Sequence, residues 1–236
     1  QTDFDLISLD SFKHNKTKAY FLNSVPKKLV DNIVNSISKA DLELHSLDIA
    51  FSSLERIAYS SIKKLNASQV IALVELSLEC SHLYILSNSG PIHVATLAAI
   101  KAFEIPKGYV GDLAIEEATI NSDDYLSISH LDLKVLFGEL KKELSQFYNH
   151  QQLEVSEILL AGINSIHPGI SDLFENHFKI STNILRSLES ANVGNIEANK
   201  SICAQELNRL VGLGLSMLES SDVNSDSFQI STNIKP

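Results

Sequence analysis

Cysteine and histidine could supply nucleophiles or metal ligands in this sequence, but their spacing forms no recognised motif. The eight histidines include His82, His93 and His167, and no pair shows the i, i+4 spacing with an intervening acid that a helical zinc site uses. Cys80 and Cys203 stand far apart with no Cys-x-x-Cys, so we interpret them as structural thiols. The sequence has neither a Gly-x-Ser-x-Gly turn nor a glycine-rich Walker loop. We therefore expect no metal site and no catalytic residues of these classes.

The charge balance of the chain is acidic. It has 29 Asp and Glu against 19 Lys and Arg, a net charge of -10 and a pI near 5.2. This balance argues against a nucleic-acid partner, because a phosphate backbone requires a basic surface. One acidic patch has two interpretations, a solvated loop or a docking surface for a basic partner segment. It consists of Glu116, Glu117, Asp123 and Asp124.

The composition predicts a folded chain from a reducing compartment. Hydrophobic residues make up 44% and charged residues 20%, which is enough for a sizeable core. Two cysteines cannot stabilise a domain of this size through disulfides. No apolar run reaches the ~18–20 residues of a membrane span, and no signal peptide opens the chain. Because the chain starts at Gln1 and its single methionine is Met217, we expect a processed, truncated or engineered piece.

The first 65 residues are predicted as strand, helix, strand and helix. Residues 1–15 are polar and show no clear period. A short apolar run then predicts a strand, and Pro26 lies where a helix would begin. Apolar residues at helical spacing predict two amphipathic helices, and an apolar–polar alternation between them predicts a half-buried strand. These segments are 19–22, 26–39, 41–48 and 47–65.

The pattern changes near Asn66. Val70–Val74 is a continuous apolar run, typical of a strand covered on both faces. Two more strands follow around a turn at 88–90, so we expect three antiparallel strands with the first one central. Later segments alternate between helical and strand patterns. The further elements are strands at 82–86, 92–97, 157–162 and 182–185, and helices at 133–148, 168–178 and 199–218.

The order of strands and helices predicted after residue 66 resembles the ribonuclease-H-like second half of actin-fold ATPases. Four segments are similar, in order and spacing, to the PilM family of type IV pilus assembly proteins, relatives of FtsA-like and GspL-like proteins. The first segment is similar to the family's Val-Pro-Lys segment and the helix after it, and the second is similar to the family's second phosphate-loop hairpin. The third is similar to its adenosine-contacting strand and helix. The fourth is similar to its closing helix, with Gly212 and Leu213 at the matching places. In the first segment, Asp41 replaces a turn glycine. The segments are Ser24–Tyr59, Val70–Val94, Glu157–Phe178 and Leu207–Leu218.

The resemblance implies an α/β fold with two unequal domains and no first actin-like lobe. Residues 1–66 would form a small α+β subdomain like the PilM and FtsA insert. Residues 67–219 would form the ribonuclease-H-like lobe, a mixed sheet flanked by helices, with a variable insert at 98–130. Residues 220–236 are rich in Ser, Asp and Asn and read as a polar tail.

The resemblance also identifies candidate nucleotide-binding residues. Where the family has Asp-x-Gly, this chain has Glu75-Leu76-Ser77, so Glu75 either orients a hydrated Mg²⁺ or is a strand-end acid facing solvent. Ser77 replaces the glycine that would allow close backbone approach to phosphate. The family's Gly-Gly pair is Gly162-Ile163 here, and Gly169 matches a further glycine; both glycines either contact a nucleotide or belong to a loop retained for folding.

Because these motifs lack glycines that the family has, we expect a scaffold and no ATPase activity from this chain alone. The resemblance implies a cytoplasmic protein at the inner membrane that binds the N-terminal peptide of a bitopic, PilN-like partner. Candidate peptide contacts are Val25, Lys27, Lys28 and Val30. We expect no bound cofactor, with ATP and Mg²⁺ left open for a full-length parent.

Alternatives are an ATP-binding actin-like ATPase lobe and a GspL-like type II secretion domain; an FtsA-like protein would need a C-terminal amphipathic helix. A homo-oligomer is left open.

Overall fold

The computed structural model describes residues 2–14, 17–66, 68–77, 79–100, 128–186 and 208–221. Within these ranges no helix is both long and apolar enough to traverse a bilayer. The strands are β1 (Thr2–His14), β2 (Thr17–Pro26), β3 (Gln69–Glu75), β4 (Ser81–Ser87), β5 (Gly90–Leu97), β6 (Glu154–Ala161) and β7 (Thr182–Ile184). The helices are α1 (Lys27–Lys39), α2 (Ala50–Ile62), α3 (His130–Gln151), α4 (Ile170–Phe178) and α5 (Asn208–Ser221), with a 3-10 turn at Ile163–Ile166.

A five-stranded mixed sheet with the order β5-β4-β3-β6-β7 organises the larger part of the chain. β3, β4 and β5 form an antiparallel meander, whereas β6 and β7 run parallel to β3. β3 is therefore central, and six of its seven residues are buried. The predicted α/β fold, with a ribonuclease-H-like mixed sheet flanked by helices, is confirmed.

Alternating side chains of β3 enter two separate cores. Val70 and Val74 point to the face covered by α3 and α4, where Leu136 and Phe174 are also buried. Ile71 and Leu73 point to the other face, covered by α2 and in part by α5. Burial on both faces explains why the sequence of β3 is continuously apolar.

Two predictions in the first segment were wrong. Residues 2–14 form β1, which pairs with β2, although their polar sequence shows no period. The predicted strand at 41–48 has no strand structure, since the alternation of Leu42 and Leu44 has no neighbouring strand to pair with among the described residues. Asp41 follows the end of α1 and has a φ of 57°, in the left-handed region.

The helix α2 lies before residue 66 but packs on the large sheet. Phe51, Leu54 and Ile57 of α2 are buried against the strands. The boundary proposed near residue 66 stays a prediction, yet α2 shares its core with the sheet. The acidic patch, Cys203, residues 101–127, residues 199–207 of the predicted closing helix and the tail from 222 lie outside the described residues.

Candidate functional site

Glu75, the last residue of β3, is buried and ion-paired. The residue is 3% exposed, and its Oε1 accepts hydrogen bonds from the guanidinium of Arg209, with Nε at 2.7 Å and Nη2 at 2.6 Å. Arg209 lies in the first turn of α5. The interpretation of Glu75 as a solvent-facing acid was therefore wrong, because α5 covers the end of β3 and supplies the neutralising cation.

Ser77 stabilises the connection between β3 and β4. Its hydroxyl donates a hydrogen bond to the carbonyl of Cys80, three residues later. This bond closes a turn within the connection and directs the hydroxyl to the protein's own backbone.

Gly162 follows β6 and packs directly on the same connection. Its φ of 82° and ψ of 168° lie in a region that essentially only glycine adopts. A Cβ there would lie 2.5 Å from the carbonyl oxygen of Leu76. The backbones are also hydrogen-bonded, since Leu76 donates to Ala161 at 2.8 Å and accepts from Asn164 at 3.2 Å. The need for glycine here follows from the packing of two loops.

Three of the four predicted nucleotide residues are thus brought together. Glu75 and Ser77 flank Leu76, against which Gly162 packs. Gly169 stands apart at the start of α4, with a φ of -102°, and a Cβ there would meet only His167, at 3.9 Å. The four residues therefore do not form one phosphate cradle with each other.

The sequence analysis missed a polar cluster around Glu75, which we call the Glu75 cluster. It comprises Glu75, Cys80, His82, Tyr84 and Arg209. The Sγ of Cys80 lies 3.7 Å from Nε2 of His82, and Nδ1 of His82 lies 3.9 Å from Oε2 of Glu75. The rings of His82 and Tyr84 are stacked with centroids 6.1 Å apart.

The pKa of Tyr84 is shifted by the low polarity of this environment. The pKa of Tyr84 is raised to about 12, mainly by burial and then by the negative charge of Glu75, with Arg209 acting in the opposite direction. The described residues contain no group of three or more His, Cys, Asp or Glu side chains placed to hold a metal ion. The cluster does bring a thiol, an imidazole and a carboxylate into sequence, with neighbouring atoms 3.7 and 3.9 Å apart.

A signal for the cluster was present in the sequence. β3 and β4 are antiparallel, and Glu75 pairs with His82 across the strands. Cys80 lies two residues before His82, so the alternation of an extended chain brings the two side chains to the same side. The contribution of Arg209 could not be read in this way, since 134 residues separate it from Glu75.

The predicted partner-binding residues lie where β2 leads into α1. Val25 and Val30 are partly buried, and Lys28 is exposed. The ammonium group of Lys27 lies 3.9 Å from Asp3 and 3.6 Å from Asp31. Lys27 is therefore balanced by carboxylates of this chain.

The hairpin of β1 and β2 also presents an exposed apolar face, which the sequence analysis did not predict. Leu6 and Leu22 are directly opposite each other across the hairpin. Alternation along the strands places Phe4 and Tyr20 on the same face. The four side chains are 71% (Phe4), 53% (Leu6), 52% (Tyr20) and 59% (Leu22) exposed. We call these four residues the hairpin face; an apolar patch of this kind marks interaction surfaces.

No protein-family profile and no curated protein sequence matches the chain. Among solved structures, the chain resembles a "PilM-PilN type IV pilus biogenesis complex" with a TM-score of 0.64 and 15% identity, over 91% of this chain. The fold is actin-like. The chain spans 66% of the length of that PilM-PilN chain.

Two further likenesses are too weak to carry an argument. The ethanolamine utilization protein EutJ from Carboxydothermus hydrogenoformans has a TM-score of 0.44 and 11% identity, over 81% of this chain and 61% of that one. The Aquifex aeolicus Ppx/GppA phosphatase has a TM-score of 0.27 and 10% identity, over 92% and 88%.

Proposed function

We propose that this chain is part of a PilM-like scaffold that binds an extended peptide of a bitopic inner-membrane protein and does not turn over nucleotide. The observation that carries the proposal is the structural likeness to the PilM-PilN type IV pilus biogenesis complex. The proposed location is the cytoplasmic face of the inner membrane.

The hairpin face supports the peptide-binding part of the proposal. Its four exposed apolar side chains lie on the strands that lead into α1, where Lys28 is exposed. An extended peptide with apolar residues could bury these side chains and add hydrogen bonds at a strand edge. An acidic residue of the peptide could pair with Lys28.

The Glu75 cluster supports the absence of turnover. In a nucleotide site of this fold, the strand-end carboxylate would order the water shell of Mg²⁺. Here the Oε1 of Glu75 is bound by Arg209 at 2.6 Å, and the hydroxyl of Ser77 is directed to Cys80. A fixed positive charge beside Glu75 disfavours a divalent cation at the same carboxylate.

Peptide binding can be measured by fluorescence anisotropy with a labelled N-terminal peptide of a PilN-type protein. Leu22→Asp, on the hairpin face, should raise the Kd by about tenfold or more, as expected when a central apolar contact is replaced by a charge. The matched control is Leu131→Asp, which changes a leucine that is 67% exposed on α3. Equal affinity of the two variants would exclude the hairpin face as the peptide site.

A nucleotide-binding parent is the second candidate, favoured by the Oε2 of Glu75, which has no hydrogen-bond partner among the described residues. A fluorescent ATP analogue can be titrated with and without Mg²⁺ into the full-length parent. Submillimolar, Mg²⁺-dependent binding would contradict the scaffold proposal in favour of an ATP-binding lobe. The scaffold proposal expects no such binding.

A further inference from the structure

The side chains of Cys80, His82 and Glu75 form a continuous series at the start of β4. The thiol sulfur lies 3.7 Å from Nε2 of His82. On the other side of the ring, Nδ1 lies 3.9 Å from Oε2 of Glu75. A thiol, an imidazole and a carboxylate in this order are the parts of an activated nucleophile, its base and the group that orients the base.

The buried end of the series favours one tautomer of His82. Glu75 has only 4% side-chain exposure, and neither its Oε2 nor Nδ1 of His82 has a hydrogen-bond partner among the described residues. A carboxylate only accepts, so its negative charge favours the neutral tautomer with the proton on Nδ1, toward Glu75. Nε2 is then the basic nitrogen, and it faces the sulfur of Cys80.

The other end of the series is open to small reagents. Cys80 is only partly buried, and the side chain of His82 is 30% exposed. Cys80 also lies in the connection that the hydroxyl of Ser77 closes, so its backbone is fixed. Reactive cysteines are found in such partly exposed sites with a basic neighbour.

Two further side chains, those of Arg209 and Tyr84, lie beside the series. Arg209 binds Oε1 of Glu75 and leaves Oε2 for the imidazole. The ring of Tyr84 lies nearly parallel to that of His82, with the centroids 6.1 Å apart.

We propose that Cys80 is a modification site that reacts with hydroperoxides. The thiol proton of Cys80 passes to Nε2 of His82, and the thiolate attacks one peroxide oxygen. An S–O bond forms and the O–O bond breaks. The leaving oxygen takes the proton from His82 and departs as water or, from an organic peroxide, as an alcohol. The sulfur is oxidised to a sulfenic acid and the peroxide is reduced. His82 is the proton carrier and Glu75 a positioning residue, and the proposal is independent of the scaffold function.

The test uses the whole chain with Cys203→Ser, which leaves Cys80 as its single thiol. The protein is treated with hydrogen peroxide, the sulfenic acid is trapped with dimedone, and the adduct is quantified by mass spectrometry. Rates are compared between the folded chain and the chain in concentrated urea over a range of pH. At neutral pH the folded chain should react on the order of tenfold faster, since positioned proton transfer contributes this much or more.

Three variants separate chemistry from structure. His82→Gln should reduce the folded rate to the level in urea. Glu75→Gln should shift the pH profile of the reaction because it acts through His82. The matched control is His93→Gln, since His93 is also 30% exposed and lies 3.0 Å from Glu143. This control should leave the rate unchanged.

The comparison of folded and unfolded chain requires no variant, so it remains decisive if His82→Gln fails to fold. A folded rate no higher than the rate in urea at every pH would overturn the proposal. An unchanged rate in a folded His82→Gln variant would overturn it as well.

Discussion

The guanidinium of Arg209 lies 2.6 Å from the carboxylate of Glu75 and joins the closing helix to the end of the central strand. The side chain of Glu75 is 4% exposed, whereas that of Arg209 is 50% exposed. A buried carboxylate is stable only when it is paired and hydrogen-bonded. The position that the sequence suggested for a metal-ordering acid is therefore neutralised by the same chain.

Arg209→Met should lower the free energy of unfolding by about 1–3 kcal/mol, because it leaves Glu75 buried without its cation. The effect should be smaller than for a fully buried pair, since Arg209 is half exposed. Urea denaturation at constant pH measures the change. Adding Glu75→Gln should recover part of the loss. The control is Lys134→Met at an exposed position of α3; equal stability of the two single variants would show that the ion pair contributes nothing.

Gly162→Ala should destabilise the protein by about 2–4 kcal/mol, because its backbone angles exclude a Cβ and the Cβ would clash with Leu76. Thermal and urea unfolding measure this loss. Gly169→Ala is the matched control, since its φ is -102° and its surroundings leave room for a Cβ. A tolerated Gly162→Ala would mean that the two loops do not pack as described.

Gly212 allows close approach between α5 and α2. A Cβ at Gly212 would lie 2.0 Å from the carbonyl oxygen of Ser53, so Gly212→Ala should push the helices apart and cost about 1–3 kcal/mol. Gly214 has nothing within 4 Å of a Cβ, so Gly214→Ala should stabilise α5 by up to about 1 kcal/mol. Opposite signs for the two substitutions in denaturation curves are the expected result; the same sign for both would contradict the packing of α5 on α2.

The raised pKa of Glu55 predicts that the free energy of unfolding falls as the pH rises. Burial raises the pKa of Glu55 to about 7 from its ordinary 4.5, opposed by Arg56 and reinforced by Asp48. The folded state therefore favours the neutral acid, so this stabilisation is complete below pH 4.5 and is lost as the pH rises through 7. Glu55→Gln should raise the free energy of unfolding by up to about 3 kcal/mol above pH 7 and change little near pH 4.

Urea denaturation of Glu55→Gln across this pH range measures the difference from the unaltered chain. Glu154→Gln, at an exposed position of β6, is the control and should follow the unaltered chain at every pH. A difference between Glu55→Gln and the unaltered chain that does not vary with pH would contradict the raised pKa.

Most of the large sheet could be predicted from the sequence. The continuous apolar run of β3 and the turn after β4 gave the central strand and the meander, because these signals depend on neighbouring residues. β1 was missed, since among the described residues it pairs only with β2, and the two-stranded hairpin leaves the apolar Phe4 and Leu6 exposed rather than buried on one face. The strand predicted at 41–48 had the correct alternation but no pairing strand among the described residues, and alternation alone cannot supply one.

The order of strands and helices, and the two-faced burial of β3, were determined by the local pattern of apolar residues. The pairing of Glu75 with Arg209 was decided only by the tertiary structure, since a contact across 134 residues depends on where α5 packs. The approach of Cys80, His82 and Glu75 required the register of β3 and β4. Local periodicity determines which segments form strands and helices, whereas the charges and reactive groups at their ends meet only after the sheet has brought those ends together.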